Sequence, residues 1–242
     1  MPMIHYIFNR EIVPPAIEPL LKQLFSGQNF TQSDRLLGYS KGRGITWFLN
    51  TQAELGINIV LRHYYRGGLF GKVVKDRYLF QRIDQTRAVQ EFNLLTQMQR
   101  WHLPVPRPIA VEINKQSIFY RAKIMLEKIE HTQDLSKLLQ TQPLVAEQYQ
   151  QLGQLIRQLH DHQIHHSDLN IHNILLDDNG KFWLIDFDKC CIKAGEEWKQ
   201  ANLNRLLRSF HKEQTRLGIQ FHQQNWQSLL TGYQQHNQGD NR

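Results

Sequence analysis

The sequence contains little cysteine and no long apolar run. Its 242 residues include two cysteines, Cys190 and Cys191, which are adjacent in the chain. Neighbouring cysteines rarely form a disulfide because ring closure strains the peptide between them, and two thiolates do not complete a structural zinc site. A disulfide framework is therefore excluded, and a reducing compartment is expected. Since no stretch reaches about 18 apolar residues, the sequence predicts no membrane-spanning helix.

The N-terminal residues Met1 to Phe8 lack the basic segment and apolar run of a secretory signal. We therefore expect a cytoplasmic protein, which is still able to sit on a membrane surface. The formal net charge of +7 favours anionic partners such as nucleotides, nucleic acid, acidic lipid head groups or phosphorylated sugars. No base-reading motif accompanies this charge, so we predict no nucleic-acid partner. Oligomeric state is left open by the sequence.

The predicted elements change character along the chain. Strand patterns fill the first half, at Leu36 to Leu49 (with a glycine turn), Ile57 to Tyr65, Ile109 to Ile113 and Ile118 to Leu126. One helical pattern, Arg87 to Trp101, lies among them. From Gln133 onward helical spacing dominates, apart from a hairpin at Asn179-Gly180. The sequence thus predicts an α+β protein with a strand-rich N-terminal lobe, residues 1–128, and a short helical C-terminal lobe, residues 129–242.

The strongest motif runs from His166 to Leu176 and reads His-Ser-Asp-Leu-Asn-Ile-His-Asn-Ile-Leu-Leu. It fits the pattern H-x-D-L-x-x-x-N of a kinase catalytic loop followed by a strand. The carboxylate of Asp168 would accept or orient the proton of the hydroxyl that attacks phosphorus. The amide oxygen of Asn173 can reach a magnesium ion without adding charge. We therefore predict a phosphotransferase with Asp168 as its catalytic carboxylate.

A second carboxylate follows the hairpin, in Ile185-Asp186-Phe187-Asp188. Asp186 is expected to bind the magnesium ions that bridge the nucleotide phosphates. Because the hairpin folds back, Asp186 should lie beside Asn173. The alternative, that these side chains are only turn formers, does not explain the whole pattern at once. ATP and Mg²⁺ are therefore the predicted cofactors.

Two weaker signals in the first half concern the nucleotide phosphates. The glycine-rich turn with Gly42 and Gly44 lets backbone N–H groups approach phosphate oxygens, with a purely structural turn as the alternative. Arg62 stands on a strand where kinases usually carry lysine, and Glu91 on the next helix is its expected partner. Arginine binds phosphate bidentately, so it suits this role. A structural Arg62 stays open as an alternative.

Four histidines, His160, His162, His165 and His166, crowd together and invite a metal hypothesis. The catalytic-loop pattern already accounts for His166. His160 is predicted near a helix C-terminus, where the helix dipole favours an imidazolium. We therefore do not expect a zinc site.

These residues resemble the protein-kinase-like superfamily and, within it, the 3-deoxy-D-manno-octulosonic acid (Kdo) kinases of Gram-negative bacteria, a family of lipopolysaccharide core kinases. The resemblance covers nearly the whole chain from about Leu36. The segments that carry it are Lys41–Gly44, Leu61–Leu69, Leu103–Pro106, His166–Leu176, Asp186–Cys190, Asn202–Leu206 and Ser209-Phe210.

The resemblance implies a bilobal kinase-like fold and transfer of the ATP γ-phosphate to a hydroxyl of Kdo on Kdo–lipid A, in lipopolysaccharide core biosynthesis. It carries Asp168 over as the active-site residue. It also implies a peripheral protein on the cytoplasmic face of the bacterial inner membrane.

Two other functions stay open. A small-molecule kinase related to the aminoglycoside or choline kinases would share Asp168, Asn173 and a second aspartate, although the stretch Arg-His-Tyr-Tyr-Arg-Gly-Gly argues against it. A pseudokinase scaffold is suggested by Arg62 and by Asp188, which replaces the glycine of D-F-G. The presence of all three predicted catalytic and metal-binding side chains counts against a pseudokinase.

Two further segments are candidates for substrate or membrane contact. Arg62 to Arg82 carries six Lys or Arg residues and one Asp. We expect it to meet the carboxylates and phosphates of the lipid, with a solvated basic face as the alternative. Ala16 to Phe25 has the pattern of a short amphipathic helix, which either touches the membrane or packs on its own domain.

Overall fold

The structure is a computed structural model that describes residues 3–27, 30, 33–42, 44–66 and 76–235. Residues 67–75 of the predicted basic segment and Arg43 of the glycine turn lie outside this range. The chain divides into two compact units, residues 1–97 with 106–129 and residues 98–105 with 130–242. The first is rich in strands and the second in helices, so the predicted α+β class is confirmed.

Among the described residues of the first unit, seven strands form one antiparallel sheet. Its elements are β1 (Met3–Phe8), α1 (Glu18–Ser26), β2 (Leu36–Lys41), β3 (Ile45–Leu49), α2 (Gln52–Leu55), β4 (Ile59–His63), β5 (Tyr78–Leu79), α3 (Arg87–Arg100), β6 (Pro108–Gln116) and β7 (Phe119–Glu127). The strand order is β1-β6-β7-β4-β3-β2, with β5 paired to β7. β4 therefore lies inside the sheet, where Arg62 is opposite Thr46 of β3 and Ile124 of β7.

Helix α1 packs against the core of its own unit. Leu21 and Phe25 have no exposed surface, and both belong to a buried cluster that includes Leu49, Ile59 and Met125. Burying a side chain of this size stabilises the fold by about 1.5–3 kcal/mol. Of the two alternatives for Ala16 to Phe25, the structure therefore shows packing on its own domain.

In the part of the second unit that the structure describes, four helices are combined with short strands. Its elements are β8 (Thr132–Asp134), α4 (Leu135–Thr141), α5 (Ala146–Asp161), β9 (Ile164–His165), β10 (Ile174–Asp177), β11 (Phe182–Leu184), β12 (Cys191–Ile192), α6 (Glu197–Leu217) and α7 (Gln223–Gln234). The strands form one sheet of order β11-β10-β8 and one pair, β12-β9. Within the described ranges, no helix is both long enough and apolar enough to cross a membrane.

Helices α5 and α7 touch at two glycines. A Cβ atom built on Gly153 would lie 2.0 Å from the carbonyl oxygen of Leu229, and one on Gly232 would lie 2.0 Å from the carbonyl oxygen of Gln150. Because both obstacles are backbone atoms, a larger residue at either glycine forces the helices apart. This close contact covers α5, the helix that leads into the predicted catalytic loop.

The last turn of α5 holds a neutral histidine. His160 is completely buried, and burial lowers its pKa from 6.5 to about 4. Its Nε2 lies 3.1 Å from Oδ1 of Asn202, and its Nδ1 lies 2.8 Å from the hydroxyl of Tyr233. The prediction of an imidazolium here is wrong. A helix dipole contributes about 2 kcal/mol at most, and burial of the charged ring costs more.

Candidate active site

A buried histidine holds the backbone of the loop that begins at His166. Its Nε2 lies 3.1 Å from the carbonyl oxygen of Ile185, and its Nδ1 accepts a hydrogen bond of 3.2 Å from the backbone N–H of Asp168. These partners assign a neutral ring with its proton on Nε2. Burial lowers the pKa of His166, in agreement with that assignment. Asn202 donates to the His166 carbonyl at 2.8 Å, so one amide ties the loop to α6.

Two asparagines close the loop around the carbonyl oxygen of Asp168. The amide nitrogens of Asn170 and Asn173 donate to it at 2.9 and 3.0 Å. Because the nitrogen of Asn173 is used inside the loop, its amide oxygen is the atom suited to bind a hard cation. The spacing of five residues between Asp168 and Asn173 is what allows this internal bond.

The carboxylate of Asp168 is paired with Arg205 of α6. The two side chains are 47 % and 46 % exposed, and Nη2 of Arg205 donates to Oδ1 of Asp168. Partial burial acts to raise the pKa of Asp168, but the hydrogen bond and charge of Arg205 outweigh it and hold the pKa below its usual value. Asp168 is therefore ionised at neutral pH and open to a reactant. Sequence reasoning gave Arg205 no role; its one signal was its place in a segment that resembles the family.

The β10–β11 hairpin returns the chain to the loop. Ile174 is opposite Leu184, and the N–H of Ile185 donates to the carbonyl of Asn173 at 3.0 Å. Asp186, the next residue, is thus brought back beside Asn173. Its φ of 64° lies in the left-handed region, which is uncommon for a residue with a Cβ atom. Such backbone strain is concentrated at functional sites.

The chain is anchored on both sides of Asp186. Before it, Ile185 is bonded to the loop, and after it, the buried ring of Phe187 lies 4.8 Å from the ring of His166. Ser167 donates to the carbonyl of Asp188 at 3.0 Å. These contacts hold the Asp186 backbone in its unusual conformation. They therefore fix the position of the Cα atom from which the carboxylate side chain extends.

In the first unit, Arg62 of β4 meets Glu91 of α3. Nη2 of Arg62 donates to both carboxylate oxygens, at 2.6 and 2.7 Å, and the hydroxyl of Tyr64 donates to Oε2 at 2.6 Å. The Glu91 side chain is 1 % exposed and that of Arg62 is 22 % exposed. A buried carboxylate needs both a counter-charge and hydrogen bonds, and it has both here. Tyr64, the second donor to Glu91, was not assigned this contact from the sequence.

The glycine turn joins β2 to β3. The N–H of Gly42 donates to the carbonyl of Gly44 at 2.9 Å. A Cβ atom on Gly44 would lie 1.9 Å from a ring carbon of Tyr65, whereas no described atom lies within 4 Å of one built on Gly42. The structure therefore explains glycine at position 44 by the approach of an aromatic ring.

The seven predicted site residues fall into two groups. The first unit contains Gly42, Gly44, Arg62 and Glu91; the second contains Asp168, Asn173 and Asp186. Arg62 is paired with Glu91, the partner expected from the sequence. In the second unit the amide nitrogen of Asn173 donates to the carbonyl of Asp168, a contact that the sequence analysis did not predict.

Known proteins resemble this chain along most of its length. A family model described as the lipopolysaccharide kinase (Kdo/WaaP) family matches residues 28–233. A 3-deoxy-D-manno-octulosonic acid kinase of Mannheimia succiniciproducens is 52 % identical over 233 residues, which is 95 % of each chain. Enzymes of the same name from Haemophilus influenzae and Vibrio vulnificus are 52 % and 46 % identical, over 88 % and 87 % of this chain and 90 % and 88 % of theirs.

Proposed function

This chain belongs to the lipopolysaccharide kinase (Kdo/WaaP) family, and we propose that it transfers the γ-phosphoryl group of ATP to a hydroxyl of Kdo on Kdo–lipid A. Identity of about half over nearly the whole chain to enzymes named 3-deoxy-D-manno-octulosonic acid kinase is the observation that carries this proposal. The mixed α+β architecture supports a kinase-like fold. We assign nucleotide binding to residues 1–128 and catalysis to residues 129–242.

Asp168 is the proposed catalytic base. As the acceptor oxygen bonds to the γ-phosphorus, the bond from that phosphorus to the bridging oxygen of ADP breaks, and the hydroxyl proton moves to the Asp168 carboxylate. Arg205 donates to Oδ1, so we assign the proton to Oδ2. The lowered pKa of Asp168 keeps the carboxylate ready to act at neutral pH.

Asn173 and Asp186 are the residues that would hold magnesium. Both offer hard oxygen ligands, and the amide of Asn173 already uses its nitrogen within the loop, which leaves its oxygen for this role. When bound, the ion would neutralise charge on the phosphates. The anchored backbone at Asp186 supports this assignment, because a ligand that is fixed beforehand loses little freedom on binding.

Arg62, Glu91 and the glycine turn are the proposed nucleotide-binding group. Arg62 supplies a permanent positive charge for the phosphates, and Glu91 fixes its position in the sheet. The backbone of the turn at Gly42 and Gly44 is the proposed contact for phosphate oxygens, although the N–H of Gly42 is already bonded to the carbonyl of Gly44 and is not one of the donors. We further propose that the protein acts as a peripheral protein at the cytoplasmic face of the inner membrane. A net charge of +7 supports this location, since the acceptor is an anionic lipid.

The test is transfer of labelled γ-phosphate to Kdo–lipid A by the wild type and by Asp168→Asn. The variant keeps the shape of the side chain but loses the base, so the rate should fall by about 10²–10⁴. Asp178→Asn is the matched control, because Asp178 is 81 % exposed in the hairpin turn. Equal rates for wild type and Asp168→Asn would overturn the role of Asp168. Transfer by the wild type to an aminoglycoside but not to Kdo–lipid A would overturn the acceptor.

A further inference from the structure

A pocket of about 500 Å³ lies within the second unit, next to Asp168. The lining residues that matter here are His165, Ser167, Lys193, Trp198, Arg205 and Arg208. Ser167 is the chain neighbour of Asp168, and Arg205 is its hydrogen-bond partner. The pocket therefore begins where the proposed catalytic base is exposed.

The pocket is positively charged. Lys193, Arg205 and Arg208 contribute three cations, against the carboxylate of Glu197 in the lining and that of Asp168, which is paired with Arg205 at the edge of the pocket. Burial is the largest cause of the lowered pKa of His165, and the positive charges of Lys193 and Arg205 lower it further. The positive potential of these side chains therefore extends to the side of the pocket that His165 lines. A concave surface with charge of one sign concentrates ligands of the opposite charge.

Rigid elements carry these cations. Arg205 and Arg208 are three residues apart on α6, so their side chains project from neighbouring positions of one face. The indole of Trp198 is buried, packs edge-on against His165 at 5.3 Å and donates to the carbonyl of Lys193 at 2.9 Å. The N–H of Lys193 donates to the carbonyl of Gln163 at 2.8 Å. The backbone positions of the cations are thus fixed before any ligand arrives.

We propose that Lys193 and Arg208, with Arg205, bind the carboxylate of the acid-sugar acceptor and so turn one of its hydroxyls toward Asp168. This inference rests on the proposed function and names the group by which the acceptor is held. Arg205 already binds a carboxylate, that of Asp168. A second carboxylate beside it meets the same planar donor geometry. The volume suits a single sugar, whose carboxylate and hydroxyls lie on one ring.

Phosphate groups of lipid A are the other anions that a basic pocket could take. The test therefore combines two protein changes with three acceptors. The variants are Lys193→Gln and Arg208→Gln, both at exposed positions. Lys212→Gln is the matched control, since it removes one charge from the same helix at a side chain that is 72 % exposed and outside the pocket lining. The acceptors are Kdo–lipid A, its Kdo methyl ester, and Kdo–lipid A with the lipid A phosphates removed.

With Kdo–lipid A, each pocket variant should raise the KM for the acceptor about tenfold, as loss of a charge-assisted hydrogen bond at a partly exposed site predicts. The KM for ATP and the unfolding curve should stay unchanged. With the methyl ester, the KM of the wild type for the acceptor should also rise about tenfold. The KM of the variants should rise no further, because the carboxylate that their side chains would bind is no longer charged. With the dephosphorylated acceptor, the variants should still show their tenfold defect.

The contrary results are distinct. A defect that persists with the methyl ester but disappears with the dephosphorylated lipid would assign the pocket to phosphate and overturn the proposal. An equal defect in Lys212→Gln, or no defect in either pocket variant, would overturn it as well. If the wild type transfers no phosphate to Kdo–lipid A, the proposed function fails, and this assignment fails with it. If the wild type transfers phosphate to Kdo–lipid A but the defects of the pocket variants do not depend on the Kdo carboxylate, the assignment of the pocket is overturned and the proposed function stands.

Discussion

Glu91→Gln isolates the charge of the buried carboxylate in the first unit. Glutamine keeps the size of the side chain, and its one oxygen can accept from Tyr64. Its NH₂ group, however, would face Nη2 of Arg62, which lies 2.6 and 2.7 Å from the two carboxylate oxygens. The variant therefore loses the ion pair and places two donors against each other.

The expected loss of stability is large. Breaking a buried pair by removal of one partner costs about 3–5 kcal/mol. The Arg62 side chain is still 22 % exposed, so water screens part of the charge that is left behind. We therefore expect about 2–3 kcal/mol, a substantial fraction of the roughly 5–15 kcal/mol that stabilises a typical domain. Tyr64→Phe removes one hydrogen bond to the same carboxylate and keeps the ion pair, so it should cost less, about 1.5–2 kcal/mol.

Urea unfolding measures both effects as shifts of the midpoint at constant slope. Hydrogen exchange of the β4 amides should report the loss in the first unit. The double variant should be less destabilised than the sum of the two single variants, by about 0.5 kcal/mol or more, because both changes act on one carboxylate. If Glu91→Gln costs less than Tyr64→Phe, the charge of Glu91 contributes little and the reasoning is refuted.

Three other predictions concern separate parts of the molecule. Arg205→Gln removes the charge that lowers the pKa of Asp168, so the acid limb of the kcat/KM profile against pH should move to higher pH. Arg205→Lys keeps the charge and should restore most of the wild-type profile. An acid limb that does not move in Arg205→Gln would contradict the pairing of Arg205 with Asp168. His160 has a folded-state pKa of about 4 against 6.5, so its contribution to stability is complete above pH 6.5 and is lost as the pH falls toward 4. His160→Gln should therefore remove about 2 kcal/mol of the stability change that urea unfolding detects between pH 7 and pH 5. Gly44→Ala should destabilise by about 1–3 kcal/mol because a ring must move, whereas Gly42→Ala should unfold like the wild type; equal midpoints for the two would contradict the packing.

Local patterns predicted the elements whose partners are close in sequence. The strand at β4, the helix α3 and the hairpin at Asn179-Gly180 all appear near their predicted bounds, since spacing of apolar residues and turn residues are local signals. The hydrogen bond between the carbonyl of Asn173 and the N–H of Ile185, next to Asp186, follows from that hairpin, because a hairpin brings its two ends close together.

Distant partners were not predictable in the same way. β1 is an edge strand that pairs with β6, and its Tyr6 donates to Glu112, 106 residues further along. No turn marks such a pairing. Arg205 binds Asp168 across 37 residues, and the sequence alone does not place one side of α6 against the loop. His160 occupies its expected helical position, but its charge is decided by burial, which is a property of the packed unit.

The glycine contact between α5 and α7 has a consequence for the order of events during biosynthesis. His160 at the end of α5 and its partner Tyr233 in α7 are 73 residues apart. At about 5–20 residues per second, a ribosome needs roughly 4–15 s to make the residues between them. During that interval α5 has been made without α7, the helix that packs against it. The contact between α5 and α7 in the second unit therefore forms only after the chain up to Tyr233 has been made.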